Sequence, residues 1–243
     1  TEHGETFVLR SGLETDQDMG NYERFLNKDL RDENYMTSGM VYQSVIERER
    51  NLGYKGKCVE AIPHIRDEII GRIEKSAKYN GSEISIIEIG GTVGDYQNIM
   101  FIEAARVMHA RSPEDVLFLM VSYLPVPGKL GEMKTKPTQN AIRQLNSFGV
   151  QPDMIIARSS EALDKKRREK IAIQCNVLSK HVISAPDIES VYDVPLNFEK
   201  GKLGDAILEL LEMRPRKTST LTEWKKFAQS KKRAKKEINI AVV

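Results

Sequence analysis

Two lysines and two threonines stand immediately before a segment with helical periodicity. The stretch Lys134–Gln139 reads KTKPTQ. Pro137 is favoured in a first helical turn, because its missing N–H has no partner to lose there. A helix N-terminus offers unpaired N–H groups and a partial positive charge, and the lysines add two full charges. This pattern favours an anion site, most naturally for a phosphate chain, although a solvated basic turn fits the same spacing.

Carboxylates occupy further positions where a phosphate-bound metal could lie. Glu88 closes the apolar run Ile84–Ile89, directly before two glycines. Ligands of open α/β sheets sit beyond the carboxyl ends of the strands. Asp16 and Asp18 lie in an acidic loop closed by Gly20. Mg²⁺ takes one or two carboxylates and completes its shell with phosphate and water, which suits Asp18 with Glu88. The alternative for Glu88 is a structural acid bonded to a helix N-terminus.

The elements that must position these residues alternate between short apolar runs and amphipathic patterns. The predicted strands are Cys58–Ile62, Ile84–Ile89, Val116–Val121, Met154–Ala157 and His181–Ser184. The predicted helices are Tyr22–Leu30, Ser38–Arg50, Pro63–Lys78, Ile99–Ala110, Thr138–Ser147, Asp164–Gln174, Gly204–Met213 and Leu221–Gln229. Continuous apolar runs alternating with helices predict a doubly wound α/β fold with a mostly parallel sheet.

Composition narrows the class of protein. The chain has 243 residues, which is long enough for one large α/β domain. Its formal net charge of +2 gives no general argument for a nucleic-acid or membrane partner. We find no apolar run long enough to span a bilayer and no signal peptide. The chain has two cysteines, Cys58 and Cys175. We interpret both as reduced thiols that serve in packing, as expected of a cytoplasmic protein.

Four motifs together resemble the CTP synthase family. They are KTKPTQ at 134–139, the acidic loop with GNYERF at 14–25, IPHI at 62–65 and EIGGTVGD at 88–95. They follow the family's order and spacing from His3 to about Tyr192. The resemblance implies a P-loop amidoligase-type domain, truncated at its N-terminus. The implied reaction is ATP-dependent amination of UTP to CTP through a 4-phosphorylated UTP, a step of pyrimidine biosynthesis that uses glutamine-derived ammonia.

The resemblance also assigns roles to residues. It implies UTP binding by Lys134, Thr135, Lys136, Pro137, Thr138, Gln139 and Lys170. It implies Mg²⁺ binding by Asp18 and Glu88, and binding of ATP, the co-substrate, by Asp18, Glu88, Asp187 and Ile188. It implies binding of CTP, as feedback inhibitor, by Asp95, Tyr96, Gln97, Lys134, Lys136 and Lys170. Glu103, Arg106, His3 and His64 match residues near these sites.

At three places the sequence departs from the family's pattern, and each departure affects which of these roles can be assigned to this chain. No G-x-x-x-x-G-K-[ST] phosphate loop occurs in the chain, so we assign no catalytic side chain and expect these 243 residues alone to be inactive. Gln97 stands where the family has glutamate, and an amide both donates and accepts. Glu60 stands where glutamine is common, and a carboxylate repels a triphosphate unless it is paired or protonated.

The chain also resembles an internal piece of a longer protein. We expect residues 1–213 to form an incomplete synthetase domain and 214–237 a helical, basic linker. We expect residues 238–243 to open a glutamine amidotransferase domain that lies outside this sequence. The apolar helix Ile99–Ala110 predicts a subunit interface, and the resemblance implies a homotetramer.

Two other functions remain open from the sequence. One is another ATP-dependent amidoligase, of the dethiobiotin or cobyrinic-acid type, which shares the fold and the magnesium carboxylates. The other is a non-catalytic module for nucleotide binding or assembly. A nucleotide panel separates the first of these from a CTP synthase.

Overall fold

The computed structural model describes residues 5–128, 131–215, 221–233 and 238–241. The chain divides into two compact units, Thr1–Met108 and His109–Val243. Among the described helices, none combines the length and apolar character needed to cross a bilayer. His3 and parts of the predicted segments 214–237 and 238–243 lie outside the described residues.

A hairpin and helices build the first unit. The strands are β1 (Thr6–Val8) and β2 (Glu14–Asp16), which pair antiparallel. The helices are α1 (Asp18–Leu26), α2 (Ser38–Arg50), α3 (Arg66–Asn80) and α4 (Ile99–Arg111). The bounds of α2 are those predicted, and Thr37 caps it by accepting a hydrogen bond from the Met40 N–H. The core of this unit gathers Val41 and Val45 of α2 with Ile69 and Ala104.

Two predicted strands of the first unit are wrong. Ile84–Ile89 is assigned no strand, and Ile86 is 96% exposed. Cys58–Ile62 is likewise unpaired, and the irregular helical turn Ala61–Ile65 takes its last two residues. A strand needs a neighbour that takes its backbone N–H and C=O groups, and the paired strands of the described chain do not include either segment. Their apolar content gives the hydrophobic pattern of a strand without the pairing.

The second unit contains the parallel sheet. Its strands are β3 (Leu119–Tyr123), β4 (Met154–Ser159) and β5 (Val182–Pro186), in the order β3-β4-β5. Its further helices are α5 (Lys136–Ser147), α6 (Lys165–Cys175), α7 (Val194–Lys200), α8 (Leu203–Leu210) and α9 (Thr222–Arg233). The predicted α/β class and parallel sheet are therefore confirmed for three strands, while α7 was not predicted.

The strand β3 starts later than the predicted run Val116–Val121. The Phe118 N–H donates to the Asp153 carboxylate at 2.7 Å, and His109 Nδ1 lies 3.1 Å from the Val116 carbonyl oxygen. The Phe118 N–H and the Val116 carbonyl thus face side chains rather than a neighbouring strand, and the ladder with β4 begins at Leu119 opposite Met154.

Helices cover both faces of the central strand β4. Ile155 and Ala157 share a buried cluster with Ile142 of α5 and Ile171 of α6. Met154, whose side chain alternates to the opposite face, packs in a cluster that includes residues of α7 and α8. This burial explains why β4 reads as a continuous apolar run in the sequence.

Helix α9 packs against the rest of the second unit through aromatic side chains. The Trp224 indole N–H donates to the Tyr192 carbonyl oxygen at 2.8 Å, and Phe227 contacts the Tyr192 ring edge-on. Ala228 of the same helix is buried. Part of the segment predicted as a linker is therefore a docked helix.

Candidate functional site

The KTKPTQ motif lies where β3 leads into α5. Thr135 is the N-cap residue of α5, and Lys136 and Pro137 open its first turn. The loop before the helix is fixed by the buried side chain of Met133 and by the Lys134 N–H, which donates to the Pro125 carbonyl at 2.9 Å. The predicted helix start with proline in the first turn is therefore confirmed.

Three residues of the motif, Thr135, Thr138 and Gln139, are buried rather than exposed to solvent. Thr138 is fully buried, and its hydroxyl lies 2.8 Å from the hydroxyl of Ser122 on β3. Gln139 is 3% exposed, and its amide donates to the Thr135 hydroxyl at 3.2 Å. The Thr138 contact therefore holds the first turn of α5 against β3, while Gln139 is bonded to the N-cap residue of its own helix.

Cations from the loop and from α6 gather around one carboxylate. Glu132 Oε2 lies 2.7 Å from Lys134 Nζ, and Glu132 Oε1 lies 3.9 Å from Arg167 Nη2. The hydrogen bond from Lys134 lowers the pKa of Glu132, and the charges of Arg167 and Lys170 lower it further. Lys134 and Arg167 therefore share one carboxylate, Lys170 of α6 acts on it only through its charge, and Lys136 is exposed at the start of α5. The clustering of Lys134, Lys136 and Lys170 stays a prediction.

The local sequence of α6 explains why its cations reach this loop. Asp164 caps the helix by accepting a hydrogen bond from the Arg167 N–H at 2.7 Å. Arg167 also forms an ion pair with the Asp164 side chain, and its Nε donates to the Met133 carbonyl at 3.3 Å. One arginine therefore ties the first turn of α6 to the loop that carries Lys134.

The carboxyl ends of β4 and β5 carry a second pair of polar side chains. Arg158 Nη2 lies 3.6 Å from Asp187 Oδ1, and both side chains are exposed. The Asp187 N–H donates to the Ser159 carbonyl at 2.9 Å, which fixes the backbone leading to Ile188. Asp187 and Ile188 are predicted ATP ligands, whereas sequence reasoning missed Arg158. Its position at the end of an apolar strand was the available signal.

Acidic side chains of the first unit lie close enough to influence one another. Burial by surrounding atoms raises the pKa of Glu88, and the negative charges of Asp18 and Asp16 raise it further. A divalent cation would relieve this repulsion, so Asp18 and Glu88 fit the predicted Mg²⁺. No cage of three or more metal-binding side chains occurs among the described residues. Two carboxylates suffice for Mg²⁺ when phosphates complete the shell.

A glycine loop follows Glu88 and is held by two side chains. Asp95 Oδ2 accepts a hydrogen bond from the Thr92 N–H at 2.8 Å. Asn98 is 4% exposed, and its amide donates to the Thr92 carbonyl at 2.7 Å. Gly91 has φ +86°, and a Cβ there would lie 3.2 Å from Asp95 Oδ2. The predicted CTP ligand Asp95 thus has an intramolecular partner.

Other residues near this loop differ in exposure and pairing. Tyr96 is 92% exposed, and the Gln97 carbonyl accepts a hydrogen bond from Ser38 Oγ at 3.3 Å. Glu103 and Arg106 form a salt bridge on α4 with a separation of 2.7 Å. That hydrogen bond lowers the pKa of Glu103. Tyr96 is therefore available to a ligand, while Glu103 and Arg106 neutralise each other.

The two remaining sequence candidates interact directly. The Glu60 N–H donates to His64 Nδ1 at 3.0 Å. Because Nδ1 accepts this hydrogen bond, the ring N–H of His64 is at Nε2. The Tyr54 ring stacks edge-on against the His64 ring, with centroids 4.8 Å apart. This contact gives His64 a structural partner, and Glu60 contributes its backbone to it.

The fold and these sites define an α/β protein whose parallel sheet leads, after β3, into a lysine-bearing loop at the N-terminus of α5. The chain belongs to the CTP synthase family, since the profile described as "CTP synthase N-terminus" matches residues 1–213.

Curated relatives support this assignment over the whole chain. It is 42% identical over 243 residues to a CTP synthase of Caldanaerobacter subterraneus subsp. tengcongensis, covering 100% of this chain and 45% of that protein. It is 45% identical over 243 residues to a CTP synthase of Pyrococcus horikoshii, with the same two coverages. For a CTP synthase of Methanothermobacter thermautotrophicus, the identity is 44% over 230 residues, covering 94% of this chain and 43% of that protein. The chain thus spans somewhat under half the length of these relatives.

Proposed function

We propose that the chain is the synthetase part of a glutamine-hydrolysing CTP synthase, which aminates UTP to CTP at the expense of ATP. The observation that carries this proposal is the cationic loop at the N-terminus of α5, where Lys134 of the loop and Arg167 of α6 lie 2.7 and 3.9 Å from the Glu132 carboxylate. A generic basic turn gives no reason for a cation of a different helix to approach the same carboxylate. A triphosphate requires several cations held together.

The UTP triphosphate is proposed to bind Lys134, Lys136 and Lys170. Charge-assisted hydrogen bonds contribute about 1.5–3 kcal/mol each, so a triphosphate benefits from several such groups. The first-turn N–H groups of α5 would add the partial positive charge of the helix. Within the motif, Thr135, Pro137, Thr138 and Gln139 would shape the helix N-terminus, since three of these four side chains are buried.

ATP and its metal are proposed to use other residues. Asp18 and Glu88 would hold Mg²⁺, which when bound would neutralise phosphate charge during transfer. In the second unit, Asp187, Ile188 and the newly identified Arg158 are proposed as ATP ligands at the carboxyl edge of the sheet. The phosphate loop that phosphoryl transfer needs is absent from these 243 residues, so we assign it to the remainder of the protein.

The proposed chemistry has two steps. The uracil O4 attacks the γ-phosphorus of ATP, which releases ADP and leaves a 4-phosphoryl group on UTP. Ammonia from glutamine then adds to C4, and inorganic phosphate leaves with the C4–O4 bonding pair. The role of this chain's residues is to align the nucleotides and to balance their charge, since phosphoryl transfer needs no protein nucleophile.

Product inhibition and assembly complete the proposal. The same three lysines are proposed as ligands of the CTP phosphates, and Asp95, Tyr96 and Gln97 of the first unit are proposed as further CTP ligands. We further propose an amidoligase domain at 1–213 of P-loop type, a linker at 214–237 and an amidotransferase domain beginning at 238–243. The complete protein is proposed to be a homotetramer through α4, and UTP or CTP should increase the tetramer fraction in sedimentation experiments.

Kinetics of lysine variants in the full-length protein test the function. Lys136→Ala should raise the apparent KM for UTP at least tenfold and leave that for glutamine within about twofold, because one charged contact to phosphate contributes about 1.5–3 kcal/mol. Lys165→Ala is the matched control, since Lys165 lies on α6 and pairs with Glu169 of the same helix at 3.9 Å. An unchanged KM for UTP in Lys136→Ala, or activity with a different acceptor in a nucleotide panel, would contradict the assignment.

A further inference from the structure

Glu132 is an acidic residue in the middle of a site proposed to bind an anion. Its two carboxylate oxygens lie toward Lys134 and Arg167, at 2.7 and 3.9 Å. We propose that Glu132 takes the place of a ligand phosphate whenever no nucleotide is bound, so that a nucleotide must displace it in order to bind. This inference rests on the proposed function, because it specifies how that site is regulated.

The geometry of the pair resembles phosphate recognition. A carboxylate offers two oxygens as hydrogen-bond acceptors, as a phosphate group does, and Lys134 donates to one of them. Lys170 also acts electrostatically on the same carboxylate. Lys134, one of the groups proposed for the triphosphate, is therefore already paired with a negative charge before the ligand arrives.

The exposure of Glu132 makes displacement feasible. Its side chain is 60% exposed, and exposed ion pairs are worth only about 0–1 kcal/mol. A buried carboxylate would strongly resist losing its partners. Glu132 can therefore lower the affinity for phosphate ligands without blocking the site.

Arg167 keeps the site assembled when Glu132 leaves. Its Nε donates to the Met133 carbonyl, and its guanidinium also pairs with Asp164 at the start of α6. Neither contact involves Glu132. The loop and α6 thus stay connected, and a ligand that displaces Glu132 meets cations that are already positioned.

The test is the affinity of Glu132→Gln in the full-length protein, measured calorimetrically with UTP and with inorganic tripolyphosphate. We expect both ligands to bind about two- to fivefold more tightly at low salt, the range for loss of one competing exposed ion pair. The gain should vanish near 1 M salt, where the screening length falls to about 3 Å. Loss of structure would weaken binding, so damage cannot imitate this result.

Glu169→Gln is the matched control. It removes the same charge from α6, next to Lys170 in the sequence, but its carboxylate pairs with Lys165 at 3.9 Å. Equal tightening by both variants would show a general field effect and overturn the inference. Unchanged or weaker binding of both ligands by Glu132→Gln would also overturn it.

The two probes separate this inference from the proposed function. Tighter tripolyphosphate binding by Glu132→Gln in a protein that makes no CTP would leave the displacement mechanism standing and refute the proposed reaction. CTP formation by the protein, together with an unaltered affinity of Glu132→Gln for tripolyphosphate and UTP, would support the proposed reaction and refute the displacement mechanism.

Discussion

The buried hydroxyl pair of Ser122 and Thr138 connects the proposed nucleotide loop to the sheet. The oxygens are 2.8 Å apart, Thr138 is fully buried and Ser122 is 7% exposed. Thr138→Val keeps the β-branched shape and replaces the hydroxyl by a methyl group. The Ser122 hydroxyl then loses this partner in a place that water does not reach.

The expected magnitude follows from that geometry. Leaving a buried polar group unsatisfied destabilises the folded state by about 1–3 kcal/mol. For a domain of this size, about 2–4 °C of melting temperature correspond to each kcal/mol. Thr138→Val should therefore lower the melting temperature of the synthetase domain by about 2–12 °C. Thr138→Ser, which keeps the hydroxyl, should stay closer to the wild type.

The assay is a double-mutant cycle with melting temperature and UTP kinetics as its two readouts. Ser122→Ala removes the other partner, and the double variant should be less destabilised than the sum of the single variants, because no hydroxyl is left unpaired. The apparent KM for UTP should follow the same order if Thr138 acts by supporting the helix.

Two outcomes would refute this reasoning. Additive losses of stability in the cycle would show that the two hydroxyls do not depend on each other. A KM for UTP that stays raised in the double variant, although stability recovers, would show that Thr138 contacts the nucleotide directly.

Two further predictions concern the metal and pH. Glu88→Ala in the full-length protein should abolish ATP-dependent CTP formation and leave basal glutamine hydrolysis largely intact, and equal loss of both activities would contradict its metal role. Burial, and then the charge of Lys180, lower the pKa of His181 below its ordinary 6.5, so the unfolded state takes up the proton first. The stabilising contribution of neutral His181 is complete above pH 6.5 and is lost as pH falls below it. Melting temperatures of the full-length protein should therefore fall more steeply below that pH than those of His181→Asn, and parallel curves would exclude His181 as the cause.

Much of the second unit could be predicted because its signals are local. Strand β4 is buried on both faces and reads as a continuous apolar run, and α5 begins at a proline and carries apolar residues at helical spacing. The run Ile84–Ile89 gives an equally strong signal but is unpaired in the described chain. The hydrophobic pattern shows which segments could be buried as strands. Whether a strand forms depends on a neighbouring strand, which the local sequence does not specify.

The site was predictable where residues belong to a contiguous motif. Lys134 and Lys136 lie next to the start of α5, so the position of their charges at a helix N-terminus could be predicted from the motif. The ion pairs of Glu132 with Arg167, and of Arg158 with Asp187, join residues from different loops and helices. Such pairings depend on how the chain folds back on itself. A single sequence can point to one partner, as the strand end does for Arg158, but it does not specify the other.

The measurement that tests the central claim most directly is formation of CTP by the full-length protein from UTP, ATP, Mg²⁺ and ammonia, followed by chromatography. Ammonia removes the need for glutamine hydrolysis, so the assay isolates the synthetase reaction. We predict CTP in amounts equal to the ADP and phosphate released, and loss of that product when UTP is replaced by another nucleotide. A correctly folded protein that hydrolyses ATP but forms no CTP, or that aminates a different acceptor, would contradict the account.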